Sequence, residues 1–385
     1  MRILTVANVP ANPDSGAAGT VYHTNVALRQ LGHDVDELWD AQLGPRRIRH
    51  GNLHSLIEQP LAYRRAVLRA TEQKPYDAVM ISQPQGYLAA KALRRCGFSG
   101  VVINRSHGLE LRVNSVLPVW HRQLGVPASR HPMLTRALRP FLKRQWTESI
   151  RWFDGVVLPS HDDRDFLEQH LLGFPPLLTT IHHGVPDLFL DHPRPDMTDD
   201  RRQRLLFVGQ HSFIKGPDLL VEIVNRVLTE SPGLSMTWVT SEEAHRWILD
   251  RLPDTVSDRV KLHGWVDQSR LLPLFDRHGI FVFPSFFEGA GKACIEALAR
   301  GLNVVASDTG GMRDHLSRVQ PDGCCPIGDV DAFCRQILKY SRSSTPLNNH
   351  AIQYCRSLTW RNCARQLVQF FRQCEHEKTT ALQMQ

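Results

Sequence analysis

Short apolar runs alternate with longer helical patterns along this chain, and the alternation starts twice. In the first half the runs fall at 3–6, 35–38, 77–81, 101–103 and 155–158, with a helical pattern over 20–31 that Gly32 ends. In the second half they fall at 204–209, 235–239, 260–262, 280–283 and 304–306, with a helix over 217–228. In both halves strand-like runs alternate with helical stretches. That pattern suits strands buried on both faces, and parallel strands need a crossover, usually a helix, to cover each face. The predicted class is therefore α/β, as two successive doubly wound units. A length of 385 residues suits two or three domains at about 150 residues each. The proline-rich stretch His192-Pro193-Arg194-Pro195-Asp196 reads as the linker between them.

Residues 281–311, FVFPSFFEGAGKACIEALARGLNVVASDTGG, concentrate the chemistry. The order is apolar strand, Glu-Gly-Ala-Gly loop, helix, Gly301, apolar strand, Gly310-Gly311. A glycine loop opening onto a helix N-terminus offers unpaired N–H groups and the positive end of the helix dipole, a ready site for an anion. Gly289 and Gly291 would let a ligand approach the main chain closely. Glu288 lies in the loop and Glu296 in the helix, about two turns and roughly 12 Å apart if the stretch were fully helical. A ligand touched by both is elongated. A nucleotide diphosphate sugar fits, with its sugar at one carboxylate, its ribose at the other and the diphosphate between.

At these residues the chain resembles the retaining glycosyltransferases of family 4, group 1, which have the GT-B fold. Glu288 and Glu296 match the Glu-x7-Glu signature of that family, and Pro284-Ser285, Glu296-Ala297, Gly301, Val304-Val305 and Gly310-Gly311 match its surroundings. The resemblance implies two Rossmann-like domains facing across a cleft. Residues 1–190 would form an acceptor domain and 191–361 a nucleotide-sugar donor domain. Residues 362–385 would be a C-terminal helix and tail returning to the first domain.

The resemblance extends to further sites. Phe207-Val208-Gly209 followed by Lys215-Gly216-Pro217-Asp218 is similar to the segment that holds the donor diphosphate. Gly209 ends the strand, Lys215 supplies a point charge and Pro217 suits a first helical position. The family usually carries Arg after that glycine; here Gln210 removes a permanent charge and a bidentate fork. Lys292, in the loop Gly289-Ala290-Gly291-Lys292, is a further candidate for the diphosphate. Ser15-Gly16-Ala17-Ala18-Gly19 resembles the glycine loop of the first domain, and Ser15 and Gly16 are carried as substrate-binding. His107, before Gly108, corresponds to a histidine at a strand end beside the reacting sugar. By the same resemblance Glu288 would contact the donor sugar and Glu296 would accept hydrogen bonds from the ribose. His182-His183-Gly184-Val185 reads as hinge structure.

Charge is uneven. Residues 1–190 carry 22 Lys and Arg against 16 Asp and Glu, while 191–385 carry 24 against 23. Within 61–151 the count is 16 against 4. A basic first half suggests an acidic partner. Residues 130–153 interleave basic residues with Leu, Phe and Trp, as a helix on an anionic membrane surface would, with Pro140 kinking or splitting it. An ordinary amphipathic surface helix gives the same letters. Nucleic acid is not an expected partner, because no binding motif accompanies the charge.

No apolar run reaches the roughly 18 residues of a membrane span. The opening MRILTVANVPANP has a short apolar run ended by Pro10, which reads as a buried strand rather than a secretion signal. Eight cysteines without CxxC pairs point to reduced thiols and a cytoplasmic chain, with the inner face of a membrane as a further location. No metal and no cofactor beyond the donor is expected. Ser160-His161-Asp162, Asp34-Val35-Asp36 and Asp329-Val330-Asp331 spell a triad and two DxD motifs, but neighbouring residues cannot form a relay, and each DxD reads as a turn or a cap. The expected reaction is metal-independent transfer of a sugar from a UDP- or GDP-sugar to an acceptor hydroxyl, lipid-linked or polysaccharide, with retention. A GT-B sugar-nucleotide epimerase and a non-catalytic sugar-nucleotide scaffold are the alternatives.

Overall fold

The computed structural model describes residues 1–127, 132–171, 176–343 and 348–383. The chain divides into two compact units, residues 1–184 with 360–385, and residues 185–359. It therefore passes from one unit to the other at 184/185 and returns at 359/360, a few residues before each expected boundary.

The first unit holds a six-stranded parallel sheet: β1 (Arg2–Val6), β2 (Asp34–Leu38), β3 (Ala78–Ser82), β4 (Val101–Arg105), β5 (Gly155–Leu158) and β6 (Leu177–Thr180), in the order β2-β1-β3-β4-β5-β6. Its helices include α1 (Gly16–Gln30), α2 (Gln59–Gln73) and α3 (Pro132–Thr147). Successive side chains of a strand point to opposite faces. Val79 and Ile81 of β3 join one core cluster with Tyr63, Trp146 and Leu158, while Ala78 and Met80 join another on the other face.

The second unit repeats the scheme with β7 (Arg204–Val208), β8 (Ser235–Val239), β9 (Val260–His263), β10 (Ile280–Phe283), β11 (Asn303–Ser307) and β12 (Cys324–Cys325), in the order β12-β11-β10-β7-β8-β9. Here α4 (Pro217–Glu230) and α5 (Lys292–Ala299) follow the site loops. Leu220, Ile223, Val224, Val227 and Leu228 of α4 are buried at helical spacing. The return segment, α6 (Trp360–Gln383), belongs to the first unit. Its Trp360, Ala364, Leu367 and Phe371 are buried on the sheet face of Ala78 and Met80. A side chain at Gly155 would meet Phe370 at 2.6 Å and Cys374 at 2.7 Å, so the bare glycine of β5 lets α6 lie close.

Each sheet has a place where its strand order reverses. In the first unit this is between β1 and β3, in the second between β7 and β10. Ligands of open parallel sheets bind outside the carboxyl ends of strands at such points. In the second unit β10 pairs with β7 through two residue pairs only, Ile280 with Leu205 and Phe281 with Leu206. The ladder between these two strands therefore stops short of their carboxyl ends.

Several expectations need correction. The stretch 192–196 is not a free linker. The fully buried Arg300 donates to the carbonyls of Phe189 (3.1 Å), His192 (2.8 Å) and Pro193 (2.7 Å) and pairs twice with Asp276 (2.8 and 3.0 Å), while Arg194 donates to Leu190 (2.8 Å). These bonds fix the stretch within the second unit. α1 begins at Gly16, four residues before the predicted start, so Gly16–Gly19 is its first turn rather than a loop. α3 runs through Pro140 without a break, and Arg130 lies outside the described residues. β6 (Leu177–Thr180) and the two-residue β12 were not read from the sequence.

Candidate functional site: converging loops at the strand ends of the second unit

Three loops meet beyond β7, β10 and β11. The first is a 3-10 turn, Phe213–Lys215, ended by Gly216 in the left-handed region (φ 65°), with Pro217 opening α4. A side chain on Gly216 would collide with the carbonyl of Pro284, and the Phe286 amide donates to Ile214 at 2.9 Å. The first loop is thus locked to the second, residues 284–291. The third loop closes on the second in the same way. Gly310 has φ 56°, and a Cβ there would overlap the Glu288 carbonyl; one on Gly311 would overlap that of Ala290, while the Gly311 amide donates to Gly289 at 2.8 Å. Gly310 and Gly311 are therefore packing requirements of the loop that carries Glu288.

The charged groups follow from this scaffold. Lys215 Nζ donates to Glu288 Oε2 in a short ion pair, both side chains being largely buried. The ammonium also lies 4.9 Å from the centroid of the Phe283 ring, a favourable cation–π position. The point charge expected to meet a diphosphate is thus already matched by the Glu288 carboxylate.

α5 begins at Lys292, with Gly291 as its left-handed N-cap (φ 67°). Glu296 is its fifth residue and lies about one turn into the helix, so the 12 Å separation expected for a continuous helix does not apply. Gly291 faces protein: a Cβ would meet Met312 at 2.9 Å. Lys292 Nζ lies 3.9 Å from Glu296 Oε1. Burial pushes the Glu296 carboxyl up to about 7, with Lys292 opposing. A carboxyl poised there can accept from paired hydroxyls when ionised. Gly209 follows β7 and packs against Phe207 (2.9 Å to a built Cβ), and Gln210 is exposed. Ser285, matched in the sequence only as part of the signature's surroundings, and Ser307, which sequence reasoning passed over, have buried hydroxyls with no hydrogen-bond partner among the described residues.

The structure places Ser15, Gly16 and His107 in the first unit. Ser15 is the N-cap of α1, and a side chain on Gly16 would meet nothing within 4 Å. His107, after β4, shares a 3.2 Å hydrogen bond between Nε2 and Ser82 Oγ, at the end of β3. Burial, then the neighbouring Arg105 charge, lowers its pKa to about 3. The ring is therefore neutral near pH 7, a hydrogen-bonding group rather than an acid. Arg105 is fully buried, donating to Thr24 Oγ1 (2.8 Å) and Cys363 (3.6 Å); only its place before Ser106-His107 hinted at it. The decoys resolve as caps and pairs. Ser160 Oγ accepts from the Asp163 amide (3.3 Å) and Asp329 from that of Ala332 (2.9 Å), while Asp34 pairs with Arg2 and Asp36 with Lys74.

Comparison with known proteins identifies the family and the fold. The family described as glycosyl transferases group 1 matches residues 202–343, which contain all three loops. The lipopolysaccharide core biosynthesis mannosyltransferase of Rhizobium leguminosarum bv. viciae is 30% identical over 249 residues, covering 58% of this chain and 67% of the relative. The chain belongs to the group 1 glycosyltransferases. This member is also 28% identical over 245 residues to the D-inositol 3-phosphate glycosyltransferase of Thermobifida fusca, across 58% of its own length. It spans little more than half of that relative, 56%. In fold it matches the sucrose-phosphate synthase of Thermosynechococcus elongatus with a TM-score of 0.73 and 19% identity over 97% of this chain and 98% of the other. Two Rossmann-like domains of the GT-B type are thus the architecture of this group 1 chain. Among its described residues no helix is long and apolar enough to cross a membrane.

Proposed function

We propose that the protein transfers a sugar from a nucleoside diphosphate sugar, UDP- or GDP-linked, to an acceptor hydroxyl, with retention at the anomeric carbon as in family 4. One observation carries the reading: Lys215, Glu288 and the N-terminus of α5 are locked together at the strand-order reversal of the second unit, with Glu296 one turn behind. The diphosphate lies against Lys215 and the free amides of α5, Glu288 turns to the sugar, and Glu296 accepts from the ribose hydroxyls. As the glycosyl–phosphate bond breaks, Lys215 and the helix terminus meet the charge that develops on the leaving oxygen. The leaving phosphate accepts the proton of the acceptor hydroxyl as its oxygen bonds to the anomeric carbon. No metal is required in this scheme.

Both relatives are named as transferases, which favours transfer over epimerisation. The test is a thermal-shift panel of UDP, GDP, ADP and their sugars on wild type and Glu296→Ala. A ligand of the native state raises the melting temperature by mass action. The expected result is a shift with one nucleotide class, lost in the variant. No shift with any nucleotide would overturn the donor assignment and favour the scaffold reading.

A further inference from the structure

The first unit contains a cavity of about 1100 Å3 that the donor site does not use. It opens beside Asn8, just past β1 and so at the strand-order reversal of this sheet. One wall is the loop 44–48, the other the π-helical turn His54–Glu58 and the start of α2. The wall is a built structure. Glu58 accepts from the amides of Arg47 (2.8 Å) and Ile48 (2.9 Å) and from His54 Nδ1 (2.8 Å), and the other nitrogen of His54 lies 3.4 Å from Asn8 Nδ2. The Ile48 amide first, then His54, hold the Glu58 carboxyl down at about 2, so the clamp keeps its charge throughout the working pH range. A π-turn of this kind is rare and often marks a functional site.

The lining is amphipathic. Leu43, Ile57 and Leu61 give it an apolar side, and Arg46, Arg47 and Arg65 a cationic one. Of the two acids present, Glu58 is engaged in the clamp and Asp40 accepts from the Ala41 amide at 2.7 Å. Arg46 is held in place by the carbonyls of Ile48 (2.9 Å) and Arg49 (2.8 Å). A second cavity of about 480 Å3 shares Ile57 with the first and is lined by Leu53, Leu56, Tyr87, Leu138 and Phe141, with Arg144 at its side. Gln145 of α3 donates to the Ser55 carbonyl at 3.0 Å and fixes this second wall. The strip is open: Ile57 is 50% exposed, Leu61 46% and Phe141 59%. Contiguous exposed apolar side chains rimmed by charge are a mark of a binding surface.

We propose that the two cavities bind one amphipathic anion, its phosphate at Arg47 and Arg65 and its alkyl chain running over Ile57 to Phe141. This rests on the transferase reading, in which that anion is the acceptor or the lipid that carries it. The chemistry divides cleanly. Guanidinium forks suit phosphate oxygens, and an alkyl chain gains affinity with each methylene it buries. A free phosphate uses only the first part, a neutral detergent only the second.

The full chain is titrated calorimetrically with monomeric dodecyl phosphate, inorganic phosphate and dodecyl maltoside. Dodecyl phosphate is expected to bind at least about tenfold tighter than either of the others. Arg47→Ser with Arg65→Ser should abolish the preference over dodecyl maltoside, and Ile57→Ser with Phe141→Ser the preference over inorganic phosphate. These residues are exposed or half-exposed, so the melting temperature should hold. Equal binding of the three probes, or undiminished dodecyl phosphate affinity in both double variants, overturns the proposal. UDP and GDP binding, measured on the same samples, separates the two readings: its absence in wild type counts against the donor site alone.

Discussion

Replacing Glu296 by Gln should change how stability depends on pH. The carboxyl is buried in α5, and its folded-state pKa stands at about 7 against an ordinary value of 4.5. Below pH 4.5 it is protonated whether folded or unfolded. Between 4.5 and 7 the unfolded chain ionises while the native one keeps its proton, so the native state binds more protons and stability falls as pH rises. Above 7 both are ionised and the loss is complete. At about 1.4 kcal/mol per tenfold change in the proton equilibrium, the full effect is roughly 3 kcal/mol. Gln keeps the shape and does not titrate. Urea unfolding of both proteins, with the same transition followed at each pH, should show the variant gaining on wild type by about 2.5 kcal/mol from pH 5 to pH 9. Most of that gain should come before pH 7. A gap that stays constant to within about 1 kcal/mol would show that the carboxyl is not held in a low-dielectric site, and the reasoning would fail. A ribose that donates to Glu296 favours its ionised form, so wild-type nucleotide affinity should also rise through pH 7.

Other consequences are as direct. Gly310→Ala places a side chain against the Glu288 carbonyl at φ 56°. It should cost at least about 1 kcal/mol from the backbone alone and, by displacing the Glu288 loop, lower turnover more than about tenfold; an active, equally stable variant would contradict the packing role. Arg300→Met leaves Asp276 and three carbonyls without their donor. A loss of about 3 kcal/mol is expected, read as a lower urea midpoint at unchanged m-value. Transfer activity, once a donor is known, should survive EDTA; full loss restored by manganese would refute the metal-free scheme.

Both sheets were legible because their central strands each carry a short apolar run between helical stretches, a pattern that local reading catches. The start of α1 was not, since Gly16-Ala17-Ala18-Gly19 looks like a loop until a helix is seen to follow Ser15 directly. Glu288 and Glu296 stood out by spacing, and their order along loop and helix was readable. The Lys215–Glu288 pair was not, because it joins residues 73 apart and depends on β7 and β10 being neighbours. The supposed linker misled for the same reason: the residue that pins it, Arg300, comes 107 positions after Pro193. Gly310 and Gly311 could be matched as letters, but their need for bare α-carbons appears only where Glu288 and Ala290 turn their carbonyls inward.

The return of α6 to the first unit sets an order of assembly during synthesis. Residues 1–184 leave the ribosome first, yet the sheet face of Ala78, Met80 and Ile103, partly covered by Ala27 and Leu28 of α1, is completed only once residues 360–374 have been made. Trp360, Leu367, Phe370 and Phe371 are each worth about 1.5–3 kcal/mol on burial, a gross contribution comparable to the stability of a whole domain. The second unit, residues 185–359, is continuous and has its own core, so nothing in its chain order delays it. The unit begun first is therefore finished last. Until then its exposed sheet face is the part of the nascent chain most open to aggregation and most in need of a chaperone.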